Sequence, residues 1–393
     1  MKKTLLAAAL LAGFAGAASA QSSVTLYGVV DVGVLSQTLK TGNNDPLGNR
    51  TSNQTGMASG QQSGSRWGLK GVEDLGNGLS ANFVYESAVS TNDGTSSNFT
   101  RQSTLGLVSK SWGALDLGRR TSPGTVAFAG IDPFGNGYGT ASLDSSMGMS
   151  FARYSNMLMY STPVISGFSG NIGYSFDTGA TVAGAPTAAG YSDTFDRYGS
   201  TTKTRAFGLG LRYGNGPLVV AGTLDIIMPA SYKNATAAIG NTERFKNVGN
   251  LTSWNLGATY DFKVVKAHAA YGQNISGLAE GTNTLNNFQT GGDTNSAGGY
   301  LFAPGARTSS WMVGLSAPIG GASSVFLSWQ QMAAGGSFKS AANTATQNVG
   351  SIGYTYSLSK RTNLYAYYSY MSNVSMLSGS QSNSLGVGVR HLF

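Results

Sequence analysis

The chain of 393 residues contains no cysteine and only two histidines. Without cysteine there is no disulfide framework, no thiolate-bound zinc and no thiol nucleophile. Two histidines also leave little material for imidazole-based acid–base or metal chemistry. The sequence therefore predicts neither an enzyme nor a bound cofactor or metal.

Charge is also scarce, since Asp, Glu, Lys and Arg make up 11% of the chain, and only nine residues are proline. A soluble domain carries about a quarter charged residues, and a disordered chain is rich in charge or proline. The 25 basic residues exceed the 17 acidic ones, but they are dispersed along the chain rather than clustered, which argues against a nucleic-acid partner. The surface is therefore not that of an ordinary water-soluble protein.

The N-terminus carries the longest apolar run of the chain. Lys2 and Lys3 precede the apolar stretch 5–17, and Ala18-Ser19-Ala20 has the small residues of a cleavage site. This order is typical of a secretory signal peptide, and the apolar run is shorter than the ~20 residues that a membrane anchor needs. We predict a signal peptide at 1–20 and an exported mature chain at 21–393.

Beyond residue 20, apolar residues alternate with polar ones. From Val24 to Val34 one parity is apolar or glycine, while Thr25, Tyr27 and Asp31 lie on the other. The same period-two pattern, which is typical of β-strands, recurs in later segments that include 67–69, 79–86, 207–213, 254–262, 311–315, 325–329, 352–358, 364–370 and 385–389. A membrane-spanning β-strand needs only about ten such residues, and the mean hydropathy of −0.08 is compatible with that interpretation.

The connections between these segments alternate in length. Short turns rich in Gly, Asn and Pro alternate with long polar stretches at 40–62, 91–98, 121–150, 177–203, 228–250, 276–307, 333–343 and 372–381. This alternation is typical of an outer-membrane barrel, whose closure removes the unpaired strand edges. A soluble β-sandwich is the alternative, but its loops would not segregate by length. We predict an all-β, sixteen-stranded antiparallel transmembrane β-barrel.

Several motifs resemble the general-diffusion porins of Gram-negative bacteria, especially their beta-proteobacterial branch. They are 23–28 with Asp31, 64–71 followed by 73–78, 101–103 with 117–119 downstream, and 388–393. Phe393, on the lipid-facing parity, is similar to the signal by which the outer-membrane insertion machinery selects its clients. The resemblance implies a homotrimer in the outer membrane, in contact with lipids and lipopolysaccharide, that passes ions and small hydrophilic solutes by passive diffusion.

The resemblance also implies that the third long loop, 121–150, folds into the barrel and narrows it. The loop contains Pro133, Phe134 and Gly135, and its aromatic residues Phe128, Phe134 and Tyr138 are suited to packing on the wall. An exposed surface loop is the alternative. We expect this loop to form the constriction of the pore, called the eyelet below.

The candidate functional residues are charges on the lumen-facing parity. The basic set is Arg66, Lys70, Arg120 and Arg153, with Arg212 further along; the acidic set is Asp31, Glu86 and Asp116 on the wall, with Asp132 and Asp144 in the loop. We expect Arg66, Arg120 and Arg153 to face Asp132 or Asp144 across the eyelet. A basic surplus there would favour anions. The alternative is that these are solvated charges inside a wide barrel.

The first and last strands predict a subunit interface. Their outward residues form a smooth aliphatic strip without Trp or Tyr, which includes Leu26, Val30, Val32, Leu385 and Val387. Because these strands adjoin where a barrel closes, we expect them to meet a second copy of the chain. The alternative is that they are merely short lipid-facing strands.

Two other functions are compatible with the sequence. A substrate-specific channel for a sugar or an anion would use stacked aromatic residues such as Tyr365 and Tyr367. An outer-membrane barrel enzyme would need a nucleophile and a base, and only His268 and His391 could supply the imidazole.

Overall fold

The computed structural model describes residues 23–42, 49–148, 152–179, 203–229, 249–278, 296–297, 300–340 and 343–393. The predicted signal peptide, 1–20, and the last two residues of the predicted loop, 149–150, lie outside the described residues. Among the described residues, no helix combines the length and the apolar character required to span a bilayer.

The described chain is almost entirely β-strand. The strands are β1 (Ser23–Lys40), β2 (Thr51–Ser59), β3 (Arg66–Gly76), β4 (Leu79–Val89), β5 (Ser96–Ser109), β6 (Gly113–Thr121), β7 (Arg153–Ser161), β8 (Phe168–Ser175), β9 (Arg205–Asn215), β10 (Leu218–Met228), β11 (Leu251–Asp261), β12 (Lys266–Leu278), β13 (Ser296–Ala297), β14 (Tyr300–Ile319), β15 (Ser323–Gly336), β16 (Gln347–Ser357), β17 (Thr362–Ser372) and β18 (Gln381–Leu392).

Sixteen of these strands, β1, β3–β12 and β14–β18, pair antiparallel with their neighbours in chain order. The sheet closes because β18 pairs with β1, from Val29↔Leu392 to Lys40↔Gln381. This arrangement confirms the predicted sixteen-stranded antiparallel barrel.

The two faces of the wall differ as the alternation predicted. Leu26, Leu105 and Leu256 are exposed on the outside, where lipid would cover them, whereas Glu86 and Asp116 are buried inside. The turn between β3 and β4 shows why the short connections are tight. Asn77 and Gly78 both have positive φ, at 52° and 74°, which is the conformation that a two-residue hairpin with the correct twist needs.

The seam between the first and last strands ends at Phe393. Its backbone N–H and C=O exchange hydrogen bonds of 3.1 Å each with Gly28. The Phe393 ring lies against the Cα of Gly28, so closely that a Cβ at residue 28 would overlap it. Gly28, three residues before the lumen residue Asp31, therefore leaves the space that the Phe393 ring occupies.

The predicted loop between β6 and β7 does fold into the barrel. It begins with a short helix, α1 (Pro123–Phe128), which is capped by the Ser122 side chain accepting from the Thr125 N–H. Two single 3₁₀ turns follow at Gly139–Ala141 and Leu143–Ser145. Phe128, Ile131, Leu143 and Met147 are buried in one cluster with wall residues. We call residues 121–148 the inner loop.

Two of the long stretches contain a strand that the sequence did not predict, and in 276–307 this is the two-residue β13, which pairs with the start of β14. Residues 40–62 were expected to form a loop, but β2 lies within them and pairs with the upper half of β1, from Val32↔Ser59 to Lys40↔Thr51. Most of β2 is exposed. Its sequence is polar on both parities because neither face packs on an apolar layer, so no alternation marks it.

Candidate pore constriction

The inner loop lies on a series of wall glycines. A Cβ added at Gly208 in β9 would lie 2.9 Å from Pro123, and one at Gly257 in β11 would lie 2.6 Å from Ile131. Further along the loop, Gly314 in β14 lies under Pro133 and Gly353 in β16 lies under Phe134, at 2.7 and 2.8 Å by the same measure. Any side chain at these wall positions would push the loop into the lumen.

Aromatic rings fix the next part of the loop. The Tyr138 ring packs edge-on against Phe134, Tyr365 and Tyr367, with centroids 5.6, 5.8 and 5.5 Å away. Tyr365 and Tyr367 are each only 3% exposed. Their faces are covered by the loop, so they do not form the open stacking track that a sugar channel would require.

Polar wall side chains bind the backbone of the loop. His268 Nδ1 lies 2.9 Å from the Ile131 carbonyl oxygen, and its Nε2 lies 2.9 Å from Ser316 Oγ. Because a carbonyl oxygen only accepts, Nδ1 carries the proton. The Arg212 guanidinium donates to the carbonyl oxygens of Ala127 and Ala129, at 3.2 and 2.7 Å. His268 and Arg212 therefore both stabilise the loop. The other candidate base, His391, forms a hydrogen bond with the Thr362 side chain instead.

Two amides of the wall complete the attachment. Gln330 Nε2 donates to the Ala141 carbonyl oxygen at 2.9 Å, and Gln347 Nε2 donates to that of Ser145 at 2.7 Å. Thr140 Oγ1 donates to Ser384 Oγ at 3.2 Å. Because Pro123 also lies close to Gly173 in β8, the loop is attached to the inner wall from β8 round to β18.

Asp132 was expected to face the lumen, but the structure places it inside the inner loop. It is 3% exposed, and its carboxylate accepts the backbone N–H groups of Phe134, Asn136 and Leu143 at 2.9, 3.1 and 3.0 Å. Burial raises the pKa of Asp132 to about 6. Because its carboxylate oxygens accept hydrogen bonds from the loop backbone, Asp132 stabilises the shape of the loop instead of presenting a charge across the eyelet.

The other predicted loop residues have separate locations. Asp144 is half-buried and lines a cavity of about 270 Å³ with Gln37, Tyr367 and Ser384. Pro133 and Phe134 lie against the wall glycines described above. Gly135 has φ of 60° and has room for a Cβ, so its contribution is the left-handed turn that leads to Asn136.

The predicted basic residues lie on β3, β6 and the first residue of β7, on the part of the wall that the inner loop leaves least covered; further along β7, Tyr154 and Met157 belong to a cluster on which Val126 of the loop packs. Glu86 in β4 is the centre of this region. Its carboxylate forms ion pairs with Arg66 at 3.5 Å and Arg101 at 2.7 Å, and Tyr27 donates to it at 3.0 Å. The Glu86 side chain is 6% exposed, so the two guanidinium groups cover it.

Two more arginines join this region, which we call the arginine wall (Arg66, Arg101, Arg119 and Arg153). Arg153 interacts electrostatically with the other three arginines and with Glu86, and Arg119 donates to Ser155 at 2.7 Å. Arg66 and Arg101 therefore pair directly with Glu86, Arg153 adds a third positive charge near this carboxylate, and Arg119 lies beside Arg153. Arg390 in β18 also interacts electrostatically with Arg66, which extends the positive region across the seam.

Arg120 and Lys70 lie near the arginine wall but have their own partners. Arg120 pairs with Asp116 four residues earlier on the same strand, so this cation is neutralised locally. Lys70 is exposed, and its Nζ lies 5.3 Å from the centroid of the Tyr27 ring. Of the three arginines predicted to act together, Arg66 and Arg153 share the Glu86 region, and Arg120 is held by Asp116.

Sequence reasoning missed Arg101 and Arg119 because it counted parity without bulges. The β4–β5 register shifts between Glu86 and Ala88, opposite the segment that leads to Arg101. The β6–β7 register shifts between Gly118 and Arg120, where Gly118 has φ of 123°. Such irregularities re-aim side chains. Both arginines lie within the porin-like motifs 101–103 and 117–119, which were a signal in the sequence together with the glycine before Arg119.

The predicted interface residues form one patch on the outer surface. Leu26, Val30, Leu385 and Val387 are exposed, whereas Val32 is half-buried. The register Val32↔Val389 and Val34↔Val387 places the two strips side by side across the seam. We call this surface the seam patch.

A closed barrel whose lumen is narrowed by an inner loop and lined by charge defines a channel protein of the outer membrane. The family model described as Gram-negative porin matches residues 7–375, and the chain therefore belongs to that family. Porins are channels rather than enzymes, and the cell outer membrane is where this chain functions.

Individual relatives agree with this assignment. The chain is 45% identical over 405 residues to an outer membrane porin protein of Bordetella pertussis, covering 100% of both chains. It is 31% identical over 422 residues to outer membrane porin protein 32 of Delftia acidovorans, again covering 100% of both. A solved structure, the anion-selective porin from Comamonas acidovorans, is 26% identical with a TM-score of 0.65, covering 95% of this chain and 100% of that one.

Proposed function

We propose that the chain forms a water-filled pore that passes ions and small hydrophilic solutes by passive diffusion and prefers anions. The observation that carries the preference is the arginine wall, where four guanidinium groups cluster and the carboxylate of Glu86 pairs with two of them, Arg66 and Arg101. Like charges so close together repel, and proteins keep such clusters where they act on ions. The side of the lumen that the inner loop leaves uncovered is therefore positive.

The way in which the inner loop is attached to the wall favours a narrow passage over a lumen that the loop closes completely. It is attached along one side of the wall, from Pro123 under β9 to Thr140 beside β18. Solutes would pass between the loop and the arginine wall, where water is confined by low-dielectric protein and the field of each charge is less screened. The similarity to the anion-selective Comamonas porin supports the same preference.

Planar bilayers containing the mature chain test the proposal. Under a KCl gradient we expect stepwise current increases and a reversal potential with the sign of chloride preference. A potassium-signed potential would contradict the anion preference but keep the pore. An inserted barrel without current would contradict the diffusion function.

The seam patch supports a homotrimer. Its exposed residues Leu26, Val30, Leu385 and Val387, with Val32 between them, are aliphatic, and such side chains let neighbouring walls associate in a membrane through van der Waals packing. In detergent, Val387→Trp should reduce the assembly to monomers as measured by light scattering. The control Leu327→Trp, at a lipid-facing position of β15, should leave it intact. A trimer in both variants would exclude the seam patch as the interface.

The location of the barrel in the outer membrane also suggests partners other than copies of the chain itself. The outer surface is suited to outer-membrane lipids and lipopolysaccharide, and Phe393 to recognition by the insertion machinery, because its ring lies on the outer face at Gly28. Phe393→Ala should lower the yield of inserted barrel in cells, while the same variant still refolds in detergent. Equal yields in cells would exclude this role of the ring.

A further inference from the structure

The edge of β1 changes partner at Asp31. Below it, β1 pairs with β3 as far as Val29↔Arg66, and above it with β2 from Val32↔Ser59. Residues 60–65, which join β2 to β3, leave the sheet at this gap; we call them the β2–β3 segment. The backbone of Asp31 is satisfied by this segment instead of by a ladder. Its N–H donates to Ser65 Oγ at 3.0 Å, and its C=O accepts from the Gly60 N–H at 2.8 Å.

The Asp31 carboxylate joins the segment to the opposite side of the seam. Asp31 is fully buried. One oxygen accepts the Ser63 N–H at 2.6 Å, and the other accepts the Tyr365 hydroxyl at 2.6 Å. Hydrogen bonds to an ionised acceptor are stronger than neutral ones. The facing positive charge is that of Arg390, which stands opposite Asp31 in the β1–β18 register.

The segment in turn binds the inner loop. The Tyr138 N–H donates to the Gln61 carbonyl oxygen at 2.5 Å. Gly137 lies on the Gln62 carbonyl so closely that a Cβ at residue 137 would overlap it. The Gln62 side chain accepts from Asn363 Nδ2 at 2.8 Å. The tip of the loop is therefore held by backbone contacts that involve no charged side chain of its own.

Tyr365 connects the inner loop to Asp31. Its hydroxyl binds Asp31, and its ring packs at 90° to the Tyr138 ring, 5.8 Å between centroids. The same residue thus contacts the loop and the carboxylate that fixes the β2–β3 segment. Removing any one connection should loosen the tip at Gly137 and Tyr138, while the wall glycines still seat the loop before it.

We propose that the β2–β3 segment is a second inward element of the pore, which clamps the tip of the inner loop, and that Asp31 is its positioning residue. This inference rests on the proposed function for its effect on current. With the clamp intact, the tip lies against the wall and the eyelet stays open. With the clamp released, the tip enters the lumen and interrupts the current.

Two uncharged substitutions test the clamp in the full chain. Gly137→Ala forces the tip away from Gln62, and Tyr365→Phe removes one hydrogen bond from Asp31. Loss of such a bond should increase the released population about fivefold. In bilayers we expect frequent brief closures and lower mean conductance, with an unchanged reversal potential because no charge is lost. The control Gly56→Ala adds the same methyl group in β2, where nothing lies within 4 Å.

Hydrogen–deuterium exchange of the 131–145 peptide is the second measurement, and it does not depend on current. Exchange should accelerate about fivefold in both variants and stay unchanged in Gly56→Ala. A merely structural role would lower the unfolding temperature of the barrel without changing closures. Unchanged exchange in Gly137→Ala would overturn the clamp. If the wild-type chain carries no current but exchange accelerates, the proposed function fails and the clamp stands.

Discussion

The two sides of the barrel's inner wall show different solutions to the same problem of lining a lumen. From β8 to β18 the wall carries glycine beneath the inner loop, at Gly208, Gly257, Gly314 and Gly353, and polar groups that bind the loop backbone. From β3 to β7 it carries arginine around Glu86. The covered side lacks side-chain bulk where the loop must approach closely, and the uncovered side concentrates charge where solutes pass. In the proposed pore, one side would set the width of the eyelet and the other its preference among ions.

The largest expected effect comes from removing charge on the uncovered side. Changing Arg66, Arg101 and Arg153 together to Gln should reduce the chloride-to-potassium permeability ratio about tenfold or more, because the local anion concentration depends on this field. Reversal potentials in a KCl gradient measure it.

The matched control for that change is Arg361→Gln, which removes a charge in the exposed turn between β16 and β17. It should leave the ratio within experimental error, because charges far from the eyelet are screened beyond about 8 to 10 Å. An unaltered ratio in the triple variant would assign selectivity to some other part of the lumen.

The covered side is tested by bulk rather than charge. Gly257→Val should push Phe128 and Ile131 away from β11, since even a Cβ there would lie 2.6 Å from Ile131, and overpacking of this kind costs about 1–3 kcal/mol. We expect lower single-channel conductance with the same sign of the reversal potential.

Gly222→Val in the neighbouring strand β10 is the control, because its nearest atom to an added Cβ lies 3.9 Å away. Conductance should remain that of the wild type. If Gly257→Val reversed selectivity while preserving conductance, the division of labour between the two sides would be wrong.

A smaller change sharpens the uncovered side. Glu86→Gln keeps the acceptor oxygen but removes the charge that Arg66 and Arg101 share, so anion preference should rise about two- to threefold. The barrel should also be less stable by about 1–3 kcal/mol, because the half-buried Arg66 and Arg101 lose their ion-pair partner. Glu73→Gln, near the exposed β3–β4 turn, is the comparison variant for both readouts. A decrease in anion preference would contradict the role of Glu86.

The smallest effect concerns the inner loop and pH. Burial raises the pKa of Asp132 to about 6, above its ordinary value, so the folded protein holds this proton more tightly than the unfolded chain does. The free energy of unfolding should therefore increase by on the order of 1 kcal/mol as the pH falls from 7 to 5. This contribution is lost as the pH rises through about 6. Thermal unfolding at both pH values measures the difference.

Asp132→Asn serves as the control, since it cannot titrate. It should reduce the pH dependence between 7 and 5 by that amount, although it also disturbs the hydrogen bonds from Phe134, Asn136 and Leu143. An unchanged pH dependence would mean that Asp132 keeps the same proton occupancy in the folded and unfolded chain.

The barrel could be predicted from the sequence because lipid imposes one rule on every strand. Val24, Leu26 and Val30 face outward while Tyr27 and Asp31 face inward, and the same alternation recurs in strand after strand. The strand β2 escaped prediction because that rule does not act where both faces are wet. Its residues Thr51–Ser59 are mostly polar and exposed, and only their pairing with β1 makes them a strand.

The position of the constriction could be predicted from the sequence, but its set of charged residues and its hydrogen bonds could not. The length of the loop and its aromatic residues pointed to Phe134 and Tyr138, both of which pack on the wall. Alternation predicted Arg66 and Arg153, whereas Arg101 and Arg119 required knowledge of register shifts. The direction in which Asp132 points depends on three backbone N–H groups that only the folded loop brings together.

The seam has a further consequence for how the protein assembles. Asp31 and Tyr365, which hydrogen-bond across it, are 334 residues apart in the chain, and Gly28 is bonded to the terminal Phe393. Contacts of such high sequence separation make folding slow, because loop-closure entropy is lost before they form. Pairing of neighbouring strands alone cannot complete the ring, and until β18 pairs with it β1 has an unpaired edge in contact with its surroundings. We therefore expect the edge of β1 to be the site most prone to pairing with other chains until the last strand closes the barrel.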